Sequence, residues 1–143
     1  IMKLPDALRN RLAREFRFAA DGMAGSPDMQ QRLYFFSVFY GELNRVLNLS
    51  WSPELVLAHT VLKETTQQIS GRVNTPTVGT PNDGIPKGLS EAVDRLANDL
   101  ADCFAAPEVE EAKLYQALAR AAELGYVATG NGYYLYLKGA IKI

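Results

Sequence analysis

Apolar side chains recur every three to four residues along most of this chain, and prolines interrupt the pattern at intervals. Leu8, Leu12, Ala19 and Met23 fall on one face of a helix predicted over residues 5–23. Leu55, Ala58, Leu62, Thr65 and Ile69 do the same over 53–70. Leu89, Val93, Leu96, Leu100 and Cys103/Phe104 mark a helix over 89–104, and Leu114, Tyr115, Leu118, Ala121 and Ala122 another over 107–124. The segment 27–48 differs. Leu33, Phe36, Tyr40, Leu43 and Leu47 share one face, while Phe35, Val38, Phe39, Val46 and Leu49 share the adjoining one. Its apolar arc spans roughly 220°, well beyond an ordinary amphipathic stripe. Such a helix is central in its bundle, or it lays one face on the core and another on a partner.

The prolines mark where helices begin. Four of the seven precede an acid: Pro5-Asp6, Pro27-Asp28, Pro53-Glu54 and Pro107-Glu108. Proline suits the first helical position, where its missing N–H costs nothing, and the acid faces the positive end of the helix dipole. Ser26 and Ser52 stand before two of these prolines as N-cap acceptors. Trp51 and Val56 occupy hydrophobic-staple positions around the second cap. Ser90-Glu91 is a fifth start, and Gly125 reads as a left-handed C-terminal cap.

Two segments depart from the helical period. Residues 71–88 carry Pro76, Pro81 and Pro86, with the turn pattern Thr-Pro-x-x-Gly twice in tandem. They are expected to form an ordered strap between two helical units. The run 126–138 places β-prone residues on both sides of Gly130-Asn131-Gly132, a hairpin signal. In the extended reading Tyr133, Leu135 and Leu137 face one way, and Tyr134, Tyr136 and Lys138 the other. Residues 139–143 would add a short strand. The expected fold is thus mostly α: a five-helix bundle with a C-terminal β-hairpin, in one domain, with residues 1–70 as one unit and 89–143 as the other.

Composition narrows the function classes. The net charge is −1, with +2 on residues 1–72 and −3 on 73–143, so no basic field points to nucleic acid or a membrane surface. No run of about 18 apolar residues occurs, so no membrane helix is expected. The N-terminal residues lack an apolar signal core, and Ile1 before Met2 reads as a leftover residue ahead of the natural start. Cys103 is the sole cysteine, which excludes an intrachain disulfide and suits a reducing, cytoplasmic setting.

Most site chemistries lack their residues. His59 is the only histidine, so neither a paired Glu-x-x-His di-iron site nor a four-ligand zinc site can be built, and no metal or cofactor is expected. Cys103 lies on an apolar stripe and His59 at the edge of another, where packing roles outweigh catalysis. The end of the strap brings Gly84, Lys87, Gly88 and Ser90 to a helix start, a weak anion-binding context without the phosphate-loop motif. Glu15 and Glu42 sit inside apolar arcs of their helices. A carboxylate there must be paired or shifted in pKa, so both are candidate buried carboxylates.

The order of helix 89–104, turn, helix 107–124, Gly125, hairpin and Leu137-Lys138-Gly139 resembles the tail of a winged-helix domain. That resemblance implies a helix entering the DNA major groove. The charges oppose it: Glu108, Glu110 and Glu111 open the would-be reading helix, and Lys138 is the only cation on the would-be wing. Arg9, Arg11, Arg14 and Arg17 cluster near the N-terminus, but Asp6, Glu15 and Asp21 are interspersed. The surplus apolar face of 27–48, with Phe35 and Phe39, and the tyrosine pair Tyr134 and Tyr136 are the candidate partner-binding residues. The leading expectation is a non-enzymatic binding or assembly protein, a homodimer or part of a hetero-complex. A winged-helix-like regulator of nucleic acid and a small ligand-binding or enzymatic bundle using Glu15 or Glu42 are the alternatives.

Overall fold

The structure, a computed structural model, describes residues 4–26, 28–47, 87–128 and 130–143. Five helices make up its regular structure: α1 (Asp6–Gly25), α2 (Met29–Leu47), α3 (Lys87–Ala105), α4 (Glu111–Val127) and α5 (Gly130–Leu137). The helix expected over 53–70, with His59 and the Trp51–Val56 staple, lies outside the described residues, as does the strap through residue 86.

The α1 and α3 helices make the most extensive contact. Both bury alanines, Ala19 and Ala20 on α1 and Ala97 and Ala101 on α3, and small side chains let backbones approach closely. The α2 helix packs on α1 and touches α3, α4 packs on α3, and α5 packs on α4. One continuous apolar cluster joins α1 through α4. At its centre Phe16 stacks on Phe104 at 6.0 Å between ring centroids and meets Phe39 edge-on at 5.6 Å. Phe39 in turn contacts Tyr40, and Tyr40 contacts Phe36. Each such pair adds about 0.5–1.5 kcal/mol beyond the area it buries.

Polar groups tie the helices at specific points. Arg9 on α1 is buried, and its Nη1 donates to the carbonyls of Phe104 and Ala105, both at 3.0 Å, at the C-terminal end of α3. The last carbonyls of a helix have no intrahelical donor and carry the negative end of its dipole, so Arg9 acts as a cap supplied from another element. Tyr40 Oη on α2 donates to the Ala121 carbonyl of α4 at 2.6 Å. Arg17 on α1 reaches Asn98 at 2.7 Å and forms an ion pair with Asp102, both on α3.

The helix starts follow side-chain chemistry more than proline placement. Asp28, not Ser26, caps α2: its Oδ1 accepts from the Gln31 N–H at 2.8 Å. Ser26 Oγ instead donates back to the Gly22 carbonyl. Pro107-Glu108 does not begin α4. The chain bends through 106–110, buries Val109, and starts the helix after Glu110. Gly125 does not end α4 either. It is buried inside the helix, which continues to Val127.

The expected C-terminal β-hairpin is not present: residues 130–137 form α5, and no strand occurs among the described residues. The reason lies in packing. On a helix Tyr133 and Tyr136 are three residues apart and share a face. Tyr133 is buried and Tyr136 packs on the core, while Tyr134 and Leu137 are more than half exposed. An extended strand would have turned Leu137 inward with Tyr133. Strand propensity reflects context more than backbone preference, and here the α4 surface decides. Gly132 permits the approach, because a Cβ there would overlap the Tyr126 backbone carbonyl at the end of α4. The expected extra strand at 139–143 is replaced by a helix ending. Gly139 takes φ +80°, its N–H donates to Tyr136 O, and the Ala140 N–H donates to Leu135 O. These are the two hydrogen bonds of a Schellman motif. With no wing, the winged-helix resemblance loses its structural basis.

Candidate functional site

Candidate chemistry gathers in three places among the described residues. The first is a group of rings where α1 and α2 meet. Gly22 on α1 offers a flat spot on which the Phe35 ring of α2 rests, since any Cβ at Gly22 would enter that ring. Phe18 of α1 meets Phe35 edge-on at 5.6 Å, and Tyr34 meets it edge-on at 5.1 Å. Phe18 is 54% exposed and Tyr34 57%, with Phe35 half-buried between them. Phe39 is not part of this surface. It is fully buried against Phe16 and Tyr40.

The tyrosines of α5 separate for the same geometric reason that removed the hairpin. Residues two apart on a helix point in widely different directions. Tyr134 is exposed, with Lys138 Nζ 4.8 Å from its ring centroid. Tyr136 turns inward, and its hydroxyl approaches Gly88 in the first turn of α3.

The second place is the carboxylate environment of Glu42. The residue is 7% exposed on α2, and its Oε1 lies 3.5 Å from Arg45 Nε. Its Oε2 is buried with no hydrogen-bond partner among the described residues. Burial pushes the Glu42 carboxyl above the usual range, and Arg45 opposes the shift. Glu15 and Arg11 on α1 act more weakly, in opposite directions. Glu15 itself is half-buried. The structure therefore places both carboxylates at the α1–α2 junction, flanked by two arginines.

The third place is a cleft of about 420 Å³ between α3 and α4. Leu96, Asp99 and Cys103 of α3 line one side, and Lys113, Ala117 and Arg120 of α4 the other. Burial keeps the Cys103 thiol up, Lys113 opposes, and Asp99, Asp102 and Glu110 reinforce the shift. A thiol held neutral is a poor nucleophile. A smaller cavity of about 280 Å³ lies near the end of α1 and the start of α3, lined in part by Met23, Ser26, Ser90 and Asp94. Burial raises the Asp94 carboxyl, with Asp21 adding to the effect. Among the described residues no three His, Cys, Asp or Glu side chains come together to hold a metal.

Sequence reasoning missed the cleft and the ring of Phe18. Asp99 and Asp102 recur at helical spacing, as do Lys113, Gln116 and Arg120, but only the pairing of α3 with α4 turns them into a cleft. No described helix is long and apolar enough to cross a membrane. Neither a family model, nor a curated protein, nor a solved structure matches the chain, so its own geometry carries the functional reading.

Proposed function

We propose that this protein is a non-enzymatic binding protein that docks on a protein surface, a second copy of itself in the first instance, through the ring patch at the α1–α2 junction. One observation carries the reading: Phe18 and Tyr34 stay more than half exposed while in ring contact with Phe35. Contiguous exposed aromatic surface marks contact sites, because rigid rings bury much area at little entropy cost. The Phe35 ring is already seated on Gly22, so part of the ordering cost of binding is met in advance. The single half-buried thiol fits a reducing compartment such as the cytoplasm.

Sedimentation velocity from micromolar to near-millimolar concentration tests this. The wild-type protein should gain mass with concentration, and F18S/Y34S should abolish the gain without lowering the unfolding midpoint. Monomers of both proteins across the whole range would overturn the self-association reading.

A second reading, a ligand-binding or enzymatic bundle, is favoured only by the unpartnered Oε2 of Glu42. Carboxyl-detected NMR titration tests it. An ordinary glutamate titration for Glu42 would remove its basis.

A further inference from the structure

We propose that the cleft between α3 and α4 binds a small organic cation: an ammonium or guanidinium head on an apolar stem. Size is the first argument. About 420 Å³ lies within the range of small-molecule sites. The floor is the second. Leu96 and Ala117 are buried, Ala106 and Cys103 are half-buried, and the thiol is neutral. A hydrocarbon stem lying there would leave water without stranding a polar group.

The rim supplies the sign of charge. Four carboxylates line the cleft, Asp99, Asp102, Glu108 and Glu110, against two cations, Lys113 and Arg120. Both cations are engaged, Lys113 with Glu110 at 3.6 Å and Arg120 with Glu123 at 3.0 Å. Asp102 pairs with Arg17. Among the described residues Asp99 and Glu108 form no ion pair, so the lining keeps uncompensated negative charge. An anion entering the cleft would meet these carboxylates with no spare cation among the described lining residues to receive it. A metal ion would find no ligand set among the described residues and would face an apolar floor. An organic cation satisfies both surfaces at once, its head on Asp99 and Glu108 and its stem on Leu96, Ala106 and Ala117. The cleft lies on helices other than those carrying the ring patch, so the two proposals stand or fall separately.

Isothermal calorimetry and amide NMR at low salt test the proposal on the intact chain. The probes are 4-phenylbutylamine, its alcohol analogue, its carboxylate analogue and a lysine-rich peptide. The amine should bind, shift the amides of Ala106, Gln116 and Ala117, and bind tighter than the alcohol or carboxylate. D99N/E108Q, at two exposed positions, should weaken the amine by up to about tenfold while leaving the unfolding midpoint unchanged. Added salt should weaken it as well. If the lysine-rich peptide shifts the same amides more strongly than the free amine, the cationic head comes from a protein side chain and the recognition chemistry stands. Equal binding of amine and alcohol, amine shifts confined to other helices, or unchanged amine affinity in D99N/E108Q would each overturn the proposal.

Discussion

Replacing Arg9 with methionine removes the donor cap on α3 while keeping a long apolar stem in the same space. Nη1 gives two hydrogen bonds, to Phe104 O and Ala105 O, and Nη2 gives one to Asp6 Oδ1 at 3.1 Å. The Asp6 partner is mostly exposed, so that ion pair contributes little. The carbonyl bonds matter more. Hydrogen bonds from a charged donor are worth about 1.5–3 kcal/mol each, and the bond to Phe104 O is buried, where water cannot replace it. Interaction with the helix dipole adds up to about 2 kcal/mol in a partly buried site. Against this stands the cost of burying a guanidinium whose Nε has no partner among the described residues. The net loss expected for R9M is about 2–3 kcal/mol, the cost of one orphaned buried carbonyl and one partly rehydrated one. In a chain of this size that lowers the thermal midpoint by roughly 5–10 °C. R9K keeps the charge but not the fork that spans two carbonyls, so it should recover about half. Urea denaturation followed by far-UV circular dichroism measures both variants. A loss below about 0.5 kcal/mol for R9M, the scale of an ordinary surface change, or an R9K as damaging as R9M, would refute the capping account.

Two further outcomes follow from described geometry. G132A should destabilise by about 1–2 kcal/mol net, because its Cβ overlaps the Tyr126 backbone at a cost near the upper end of the roughly 1–3 kcal/mol of overpacking, which outweighs the roughly 1 kcal/mol that alanine gains over glycine in helix propensity; a neutral or stabilising G132A in urea denaturation would contradict the α4–α5 packing. E42Q should stabilise the protein at neutral pH. The folded-state carboxyl titrates above its unfolded value, so the wild type loses stability as pH rises from the usual glutamate range through the raised folded value. Unfolding midpoints measured across this range should show the E42Q advantage vanish in acid; an advantage that grew in acid would reverse the assigned sign.

The long helices were legible because their apolar period persists over several turns, as in Leu89, Val93, Leu96 and Leu100 of α3. The C-terminal run failed because it is short. Over eight residues a strand and a helix offer similar apolar counts, and the Asn131-Gly132 pair biases the local reading toward a turn. What decided it, the contact of Gly132 with the end of α4, lies outside any local window. The sequence pattern points to Ser26 as the cap of α2 and to Asp28 only as an acid facing the helix dipole, whereas in the structure Asp28 Oδ1 is the capping acceptor. The Arg9 cap could not be read at all, since its acceptors lie 95 and 96 residues away. The position of Glu42 within the broad arc of α2 is a local property that periodicity displays. The α3–α4 cleft is not local, because its walls come from different helices.

The dominance of the α1–α3 contact has a consequence for how the chain is made. Between the last residue of α1 and the first of α3 stand roughly sixty positions, which a ribosome adds in about 3–12 s at about 5–20 residues per second. Among the described residues, only α2 is on hand to cover Leu12, Phe16 and Met23 during that interval. The nascent N-terminal portion is therefore a natural client for holding chaperones, and an N-terminal fragment ending at α2 should aggregate where the whole chain does not. Swapping of α1 between two chains emerging together is the error this topology invites, and slow translation between the two helices would widen the window for it.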